Sequence, residues 1–244
     1  MCTILFAWQT DATQPFLAAA NRDEFHHRPT QAAHWQGDVF CGVDLRAGGT
    51  WMGIHRQGRF AAVTNFREPA LAAGEKSRGN LAMSFLTSTS TPQAFCQQLA
   101  KTQAQYGPFN LLVSDGSTLW YMSNRGAEPR ALTPGFYGLS NGLINAPWPK
   151  VTAGVSALRE HFYADDAQLF ALLKNTQQPA DETLPNTGVG IEMERVVAPL
   201  FIQAGEYGTR SSAVVRLNAA GEWSMAEQNW DPEGNASGPI HSSH

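Results

Sequence analysis

The sequence predicts an α+β fold in which helices cover antiparallel sheet. Three segments place Gly with Asp, Gln or Ala between two strand-like runs: MGIHRQGRFAAVTNF, LLVSDGSTLWYMSN and VVRLNAAGEWSMAE. This pattern is typical of antiparallel hairpins. The hairpins occur early and late in the chain and helical periodicities lie between them, an order that favours α+β over a parallel α/β sheet.

The other elements follow in chain order. The first strands are predicted at residues 3–9 and 16–20, and another begins near Gly135 in GFYGLSN. Apolar residues recur at helical spacing in four segments, so we predict helices at 80–88, from Pro92 after Thr91, at 150–162 and at 166–175. The run QQPADETLPNTGVG predicts a long surface loop.

Length and composition predict one domain. The chain has 244 residues, 43% of them hydrophobic, which is enough for one substantial core. We expect a single domain over residues 1–229. The tail WDPEGNASGPIHSSH, residues 230–244, has the composition of a disordered end.

Charge and hydropathy exclude several classes of partner. The net charge is −4 and there is no Lys/Arg block, so a nucleic-acid partner is not expected. No apolar run approaches the roughly 20 residues that cross a bilayer, and the start of the chain lacks a secretory signal. The sequence therefore predicts a cytoplasmic protein without an integral membrane segment.

The three cysteines have to be explained one at a time. Cys2, Cys41 and Cys96 are odd in number and lack CxxC spacing, so neither a disulfide framework nor a structural zinc site is indicated. The adjacent pair His26-His27 does not have metal-ligand spacing either, and we expect no metal site.

Cys2 is a candidate nucleophile because it directly follows the initiator methionine. Removal of Met1 would leave a thiol and a free α-amine on one residue, and an amine with a pKa of about 8 can take the thiol proton. The alternative is that Cys2 is a small buried hydrophobic residue at the start of a strand.

Polar residues at predicted strand ends favour the nucleophile. A hairpin of the first two strands would bring Arg22 or Asp23 of the NRDE segment beside the start of the chain. Asn65 closes FAAVTN and Asn141 follows FYGLS, where an amide could donate to an oxyanion. Each asparagine is also a common turn residue, and that interpretation stays open.

Six motifs resemble one family. The segments MCTILFAW, NRDEFHHRP, GGTWMGI, FAAVTNFRE, LSNG and YGTRSS are similar to the NRDE family, also called the transport and Golgi organisation protein 2 family, from residue 2 to about residue 225. That family is similar in turn to N-terminal-nucleophile hydrolases of the bile-salt-hydrolase and penicillin-V-acylase kind. The resemblance implies a four-layer αββα sandwich of antiparallel sheets.

The resemblance also implies a catalytic set. Matching the motifs position by position gives Cys2, Arg22, Asp23, Asn65, Asn141 and Arg210. One departure stands out, because the hydrolases have residues between their Arg and Asp. Neighbours on a strand point to opposite faces, so either a bulge redirects Arg22 or Asp23, or only one of them serves the site.

Two functions follow as expectations. The first is an N-terminal-cysteine amidohydrolase or thioesterase that acts on a small hydrophobic or acyl metabolite, with Asn141 and Asn65 as oxyanion donors and no required cofactor. The second is a carrier that binds haem, acyl-CoA or lipid in the same cleft, a role implied by the family's associations. For haem, His26 and His27 are the candidate ligands, with His34 and His55 also near the expected cleft.

Overall fold

Two antiparallel sheets of seven strands each form the centre of the molecule. The computed structural model describes residues 1–69, 74–126 and 128–243. Its strands are β1 (Cys2–Trp8), β2 (Phe16–Phe25), β3 (Thr30–Gln36), β4 (Val39–Asp44), β5 (Met52–His55), β6 (Arg59–Asn65), β7 (Phe109–Ser114), β8 (Leu119–Ser123), β9 (Arg130–Ala131), β10 (Gly135–Leu139), β11 (Gln203–Ala204), β12 (Tyr207–Leu217), β13 (Trp223–Asn229) and β14 (His241–Ser242).

Strand order separates the two sheets cleanly. The first sheet runs β10-β1-β2-β12-β13-β14, with β11 paired to β12. The second runs β3-β4-β5-β6-β7-β8-β9, so each strand there pairs with its neighbours in sequence. The three predicted hairpins are β5-β6, β7-β8 and β12-β13.

Helices cover the outer face of each sheet. Their bounds are α1 (Gly79–Leu86), α2 (Pro92–Ala100), α3 (Pro149–Glu160), α4 (Asp166–Leu173) and α5 (Ile191–Val196). Helices α3 and α4 pack on the first sheet, whereas α1 and α2 pack on the second. The layers are therefore helix, sheet, sheet and helix, which confirms the expected αββα sandwich.

Strand β1 shows why the sheets occupy the middle layers. All seven of its residues are buried. Ile4 and Phe6 belong to the core between the sheets, whereas Leu5 and Ala7 belong to the core under α3 and α4. A strand covered on both faces has a continuous apolar sequence rather than an alternating one, and TILFAW has that form.

Capping residues fix two of the predicted helix starts. The Thr91 hydroxyl accepts a hydrogen bond of 3.2 Å from the backbone N–H of Ala94, just before α2. Asp165 and Gln168 form a capping box at α4. Both arrangements satisfy amide groups that a helix cannot pair internally.

The second strand is longer than the sequence predicted. We expected its end at Ala20, but β2 continues through NRDE to Phe25. Paired on both sides by β1 and β12, it keeps its backbone hydrogen bonds despite the polar side chains. The whole NRDE segment is therefore fixed in extended conformation.

The tail differs from the disordered end that we expected. Trp230 is buried, its ring centroid lies 5.6 Å from that of Phe201, and its indole N–H donates to the Ser212 hydroxyl at 2.8 Å. Strand β14 pairs with β13 near the end of the chain. One aromatic anchor therefore holds a segment whose average composition indicates disorder. His244 lies outside the described residues, and the domain limit at residue 229 stays a prediction.

Candidate active site

A cavity of about 160 Å³ lies at the start of β1, beside the ends of β2, β4 and β6. Its walls come from both sheets and from the start of α1. The charged and polar residues that line it, through side chain or backbone, are Cys2, Arg22, Asp23, Glu24, Arg28, Asp44, Asn65, Arg78, Ser211 and Glu227.

Cys2 lies in this cavity at the first position of β1. It pairs directly with Arg22 of β2, so the two side chains share one face of the sheet. The Ser140 hydroxyl donates to the Cys2 carbonyl at 3.1 Å and holds the backbone in place. Burial raises the pKa of the Cys2 thiol to about 11, against the opposing effects of the chain's amine and of Arg22.

Met1 is paired with Asp23 through the backbone. The Met1 amine donates to the Asp23 carbonyl and, at 2.9 Å, to the Tyr207 hydroxyl. The Asp23 N–H donates in return to the Met1 carbonyl at 2.6 Å. In this form the nitrogen of Cys2 is a peptide nitrogen, which cannot act as a base.

Arg22 and Asp23 point to opposite sides of β2. Arg22 faces the cavity, where it lies 3.4 Å from Asp44. Asp23 accepts a hydrogen bond of 2.7 Å from the Thr209 hydroxyl. The bulge that could have redirected one of them is absent from β2; the register shift lies on the partner strand β12, between Thr209 and Ser211. It therefore leaves the alternation of β2 intact.

Arg210, the extra residue at that register shift, does not line the cavity. Its guanidinium donates to the carbonyls of Phe25, His26 and Arg28 at 3.0, 2.9 and 3.0 Å. Arg210 thus fixes the loop that follows NRDE, and the structure does not bring it to Cys2.

The two asparagines are hydrogen-bonded to each other, but only one of them lines the cavity. Asn65 lines the cavity. Asn141 is fully buried behind it, and its side-chain amide donates to the Asn65 carbonyl at 2.8 Å. Its own carbonyl accepts from the backbone N–H of Arg67 at 2.6 Å. In this geometry Asn141 positions Asn65.

The histidines lie elsewhere. None lines the cavity among the residues that the structure describes. His27 is exposed, with its ring 5.3 Å from that of Phe25 and its Nδ1 atom 3.9 Å from Glu206. Haem ligation by His26 or His27 stays a prediction. Within residues 1–69, 74–126 and 128–243, no group of His, Cys, Asp and Glu could hold a metal ion, and no helix is long and apolar enough to cross a membrane.

Behind β2, Asp23 belongs to a buried cluster of charges that sequence reasoning missed. Arg67 and Glu194 form an ion pair of 2.5 Å with side chains only 5% and 3% exposed. The Lys150 ammonium donates to the Val197 carbonyl at 2.8 Å, and burial lowers the pKa of Lys150 to about 8. Burial raises the pKa of Asp23, and Lys150 is the charge that opposes this most strongly. Only the position of Arg67 two residues after Asn65 could have signalled this cluster.

The αββα fold that carries this site is similar to that of a solved hydrolase. The chain is similar to the crystal structure of a mutant conjugated bile acid hydrolase from Clostridium perfringens, with a TM-score of 0.54. The match covers 100% of this chain and 92% of that one at 10% sequence identity, so the likeness concerns the fold alone.

Residues 1–232 match the family model for Transport and Golgi organisation 2, and the chain belongs to this family. It is 33% identical over 260 residues to the Transport and Golgi organization protein 2 homolog of Bos taurus, covering 94% of this chain and 93% of the relative. The Homo sapiens homolog is 30% identical over 256 residues, with the same coverage of each chain. The expected family is therefore confirmed.

Proposed function

We propose that this chain hydrolyses an acyl amide or acyl thioester, with Cys2 as the nucleophile once Met1 has been removed. The observation that carries the proposal is the placement of Cys2 in a cavity, directly opposite the buried Arg22. A guanidinium beside a thiol favours the thiolate, and Arg22 lowers the pKa of Cys2 against the effect of burial.

Loss of Met1 supplies the missing base. The Asp23 N–H and the Tyr207 hydroxyl bind Met1 in this structure, and its removal frees both groups beside the new α-amine of Cys2. An amine with an ordinary pKa of about 8 can accept the thiol proton near neutral pH.

The reaction then proceeds in two halves. The Cys2 sulfur attacks the substrate carbonyl while the α-amine takes the thiol proton. The tetrahedral intermediate collapses, the bond to the leaving amine or thiol breaks, and the ammonium returns the proton to that group. Water, deprotonated by the same amine, hydrolyses the thioester on Cys2 and restores the thiol.

Asn65 is the candidate oxyanion donor because it lines the cavity. Asn141 acts through it by binding the Asn65 carbonyl. This assignment reverses the order expected from the sequence, in which Asn141 came first. Removing one oxyanion donor typically lowers kcat about 100- to 1,000-fold, and we expect a loss of that size for Asn65→Ala.

The test compares two forms of the chain whose N-termini have been verified by mass. The form that begins with Cys2 is expected to hydrolyse at least one member of a panel of acyl amides and acyl thioesters, and to carry a transient acyl group on Cys2. The form that retains Met1 and the Cys2→Ala variant are expected to be inactive. Cys41→Ala is the matched control, since Cys41 is buried outside the cavity lining.

Failure of the Cys2-terminated chain on the whole panel, with no acyl group on Cys2, would contradict the hydrolase proposal. If that chain bound an acyl compound without turnover, the carrier function would replace it.

A further inference from the structure

One guanidinium group in the cavity has a buried donor without a partner among the described residues, and a second forms no ion pair with them. The Arg22 side chain is 8% exposed, yet its Nη1 atom has no partner among the described residues. Arg78 donates to the Pro108 carbonyl at 3.0 Å and forms no ion pair with any carboxylate of the described chain. A buried donor without a partner is costly, so such groups usually await a ligand or water.

Arg78 takes no part in the ion pairs among the described residues of the cavity. Arg22 and Arg28 share the two carboxylates Asp44 and Glu24, at distances of 2.6 to 4.0 Å. Arg78 approaches from the opposite wall as a third positive charge. These five side chains therefore carry one positive charge in excess.

Two further acids of the cavity lining, Asp23 and Glu227, lie outside this set of ion pairs. Asp23 is turned toward Thr209 and Lys150 on the other side of β2. Glu227 is a buried part of the cavity lining, where it accepts the Ala33 N–H at 2.8 Å; burial raises its pKa, and the nearby charge of Arg22 opposes this rise.

The start of α1 adds to the positive potential. Ser77, Arg78 and Gly79 line the cavity, and α1 begins at Gly79. Arg78 occupies the N-cap position without capping the helix through its side chain. The free backbone N–H groups of a helix N-terminus favour anions, and an arginine at that position adds a charged side-chain donor to them.

The close approach of α1 to the cavity depends on two glycines. A Cβ atom on Gly49 would lie 2.6 Å from the carbonyl carbon of Gly79, and one on Gly79 would lie 3.2 Å from the Cα atom of Gly49. The Thr50 N–H also donates to the Gly79 carbonyl at 3.2 Å. The contact between these backbones holds the helix start at the cavity wall.

We propose that this cavity binds a carboxylate of the substrate, held by Arg78, the N-terminus of α1 and Arg22, so that the substrate is an acyl compound with one negative charge close to its scissile carbonyl. The substrate class rests on the proposed function, but the anion site does not. The volume of about 160 Å³ is below the roughly 300–1,000 Å³ of pockets that enclose drug-sized ligands, which favours a small anionic group.

Alkylation of Cys2 tests the anion site without requiring turnover. Iodoacetate and iodoacetamide have nearly the same size and react with the same thiolate, but only iodoacetate carries a carboxylate. Peptide mass spectrometry on the full chain gives the alkylation rate of Cys2 with each reagent, and the ratio of iodoacetate to iodoacetamide rates cancels any change in the thiolate fraction. Dividing this ratio by the same ratio for free cysteine gives a normalised ratio. We expect a normalised ratio of about ten or more, the size provided by one charge-assisted hydrogen bond.

Matched variants assign the effect. Arg78→Gln is expected to lower the normalised ratio to near one, whereas Arg78→Lys retains the charge and keeps most of the preference. The control Arg56→Gln removes an exposed arginine outside the cavity lining and is expected to leave the ratio unchanged. Circular dichroism confirms that each variant is folded.

The outcomes separate the two proposals. A ratio near one in the native chain, or one that Arg78→Gln leaves high, overturns the anion site. Protection of Cys2 from iodoacetamide by inorganic phosphate at lower concentration than by acetate overturns the carboxylate class. A high, Arg78-dependent ratio in a chain that hydrolyses nothing supports the anion site while the hydrolase proposal fails.

Discussion

The charged side chains on the two faces of β2, at its NRDE end, differ in their exposure to solvent. On the cavity face, Arg22 shares Asp44 with Arg28, and Arg28 has a side chain that is 24% exposed. On the closed face, Asp23 lies with Lys150, Arg67 and Glu194, all buried. Adjacent residues of one strand thus belong to a solvent-accessible cavity and to a sealed interior.

This difference separates two tasks. Charges in a partly exposed cavity contribute little to stability, but they can meet a ligand and tune a thiol. Charges sealed in the interior contribute strongly only as intact sets, because removing one member leaves another buried without compensation. We therefore expect substitutions on the closed face to change stability and those on the cavity face to change reactivity.

The largest effect is expected for Arg67→Met on the closed face. This change leaves the Glu194 carboxylate buried without its 2.5 Å partner, with only the Thr187 N–H and hydroxyl as donors. The free energy of unfolding should fall by about 3–5 kcal/mol, as measured by urea denaturation. Arg125→Met, which breaks the more exposed pair with Glu68, is the control. Equal losses in both variants would remove the distinction between sealed and exposed pairs.

Lys150→Met tests the closed face through pH. Burial lowers the pKa of Lys150 to about 8, against about 10.5 in the unfolded chain. Between these values the unfolded state binds a proton that the folded state lacks, so the free energy of unfolding rises with pH across this window by about 3 kcal/mol.

The Lys150→Met variant should lose this rise relative to the native protein, whereas the exposed control Lys101→Met should keep it. Urea midpoints measured from pH 7.5 to 10.5 give the comparison. Parallel pH profiles for the native protein and Lys150→Met would show that Lys150 titrates at its ordinary value.

On the cavity face, the reactivity of Cys2 in chains that retain Met1 should follow a raised pKa. Burial raises the thiol pKa to about 11, so the thiolate fraction grows about tenfold for each unit of pH between 7 and 10. The rate of iodoacetamide alkylation at Cys2 should rise in the same proportion. A plateau before pH 9 would indicate a thiol that ionises at or below its ordinary pKa.

The smallest effect is expected for Arg28→Gln. Its guanidinium lies 2.6 Å from Asp44, but the pair borders the cavity and is partly solvated. The free energy of unfolding should change by less than about 1 kcal/mol in the same urea assay. A decrease in the free energy of unfolding as large as that of Arg67→Met would mean that ion pairs on the cavity face also contribute strongly to stability.

Local sequence signals predicted much of the fold. Hairpin turns, the Thr91 cap and the apolar run of β1 each depend on neighbours in the chain, and the structure contains the elements that they indicate. Helix α5 was missed because its six residues, IEMERV, follow a Pro- and Gly-rich loop and leave Ile191 and Met193 about half exposed.

The site was predictable only in part because its residues meet through long-range pairing. The hairpin of β1 and β2 placed Cys2 beside Arg22, as the sequence indicated. Asn141 and Arg210 instead donate to backbone carbonyls of residues far away in sequence, such as Asn65 and Phe25, and these contacts form only in the folded chain. Arg78 carried no motif, since its place at the cavity follows from the contact of α1 with a distant loop.

The contact between Gly49 and Gly79 also bears on how this protein can diversify. A Cβ atom on Gly49 would overlap the Gly79 backbone, and one on Gly79 would press against the Gly49 backbone, so a side chain at either position displaces the helix start instead of reshaping the entrance. Directed evolution toward bulkier compounds would succeed by randomising the surrounding walls, such as Thr30 and Val43, while both glycines are held constant.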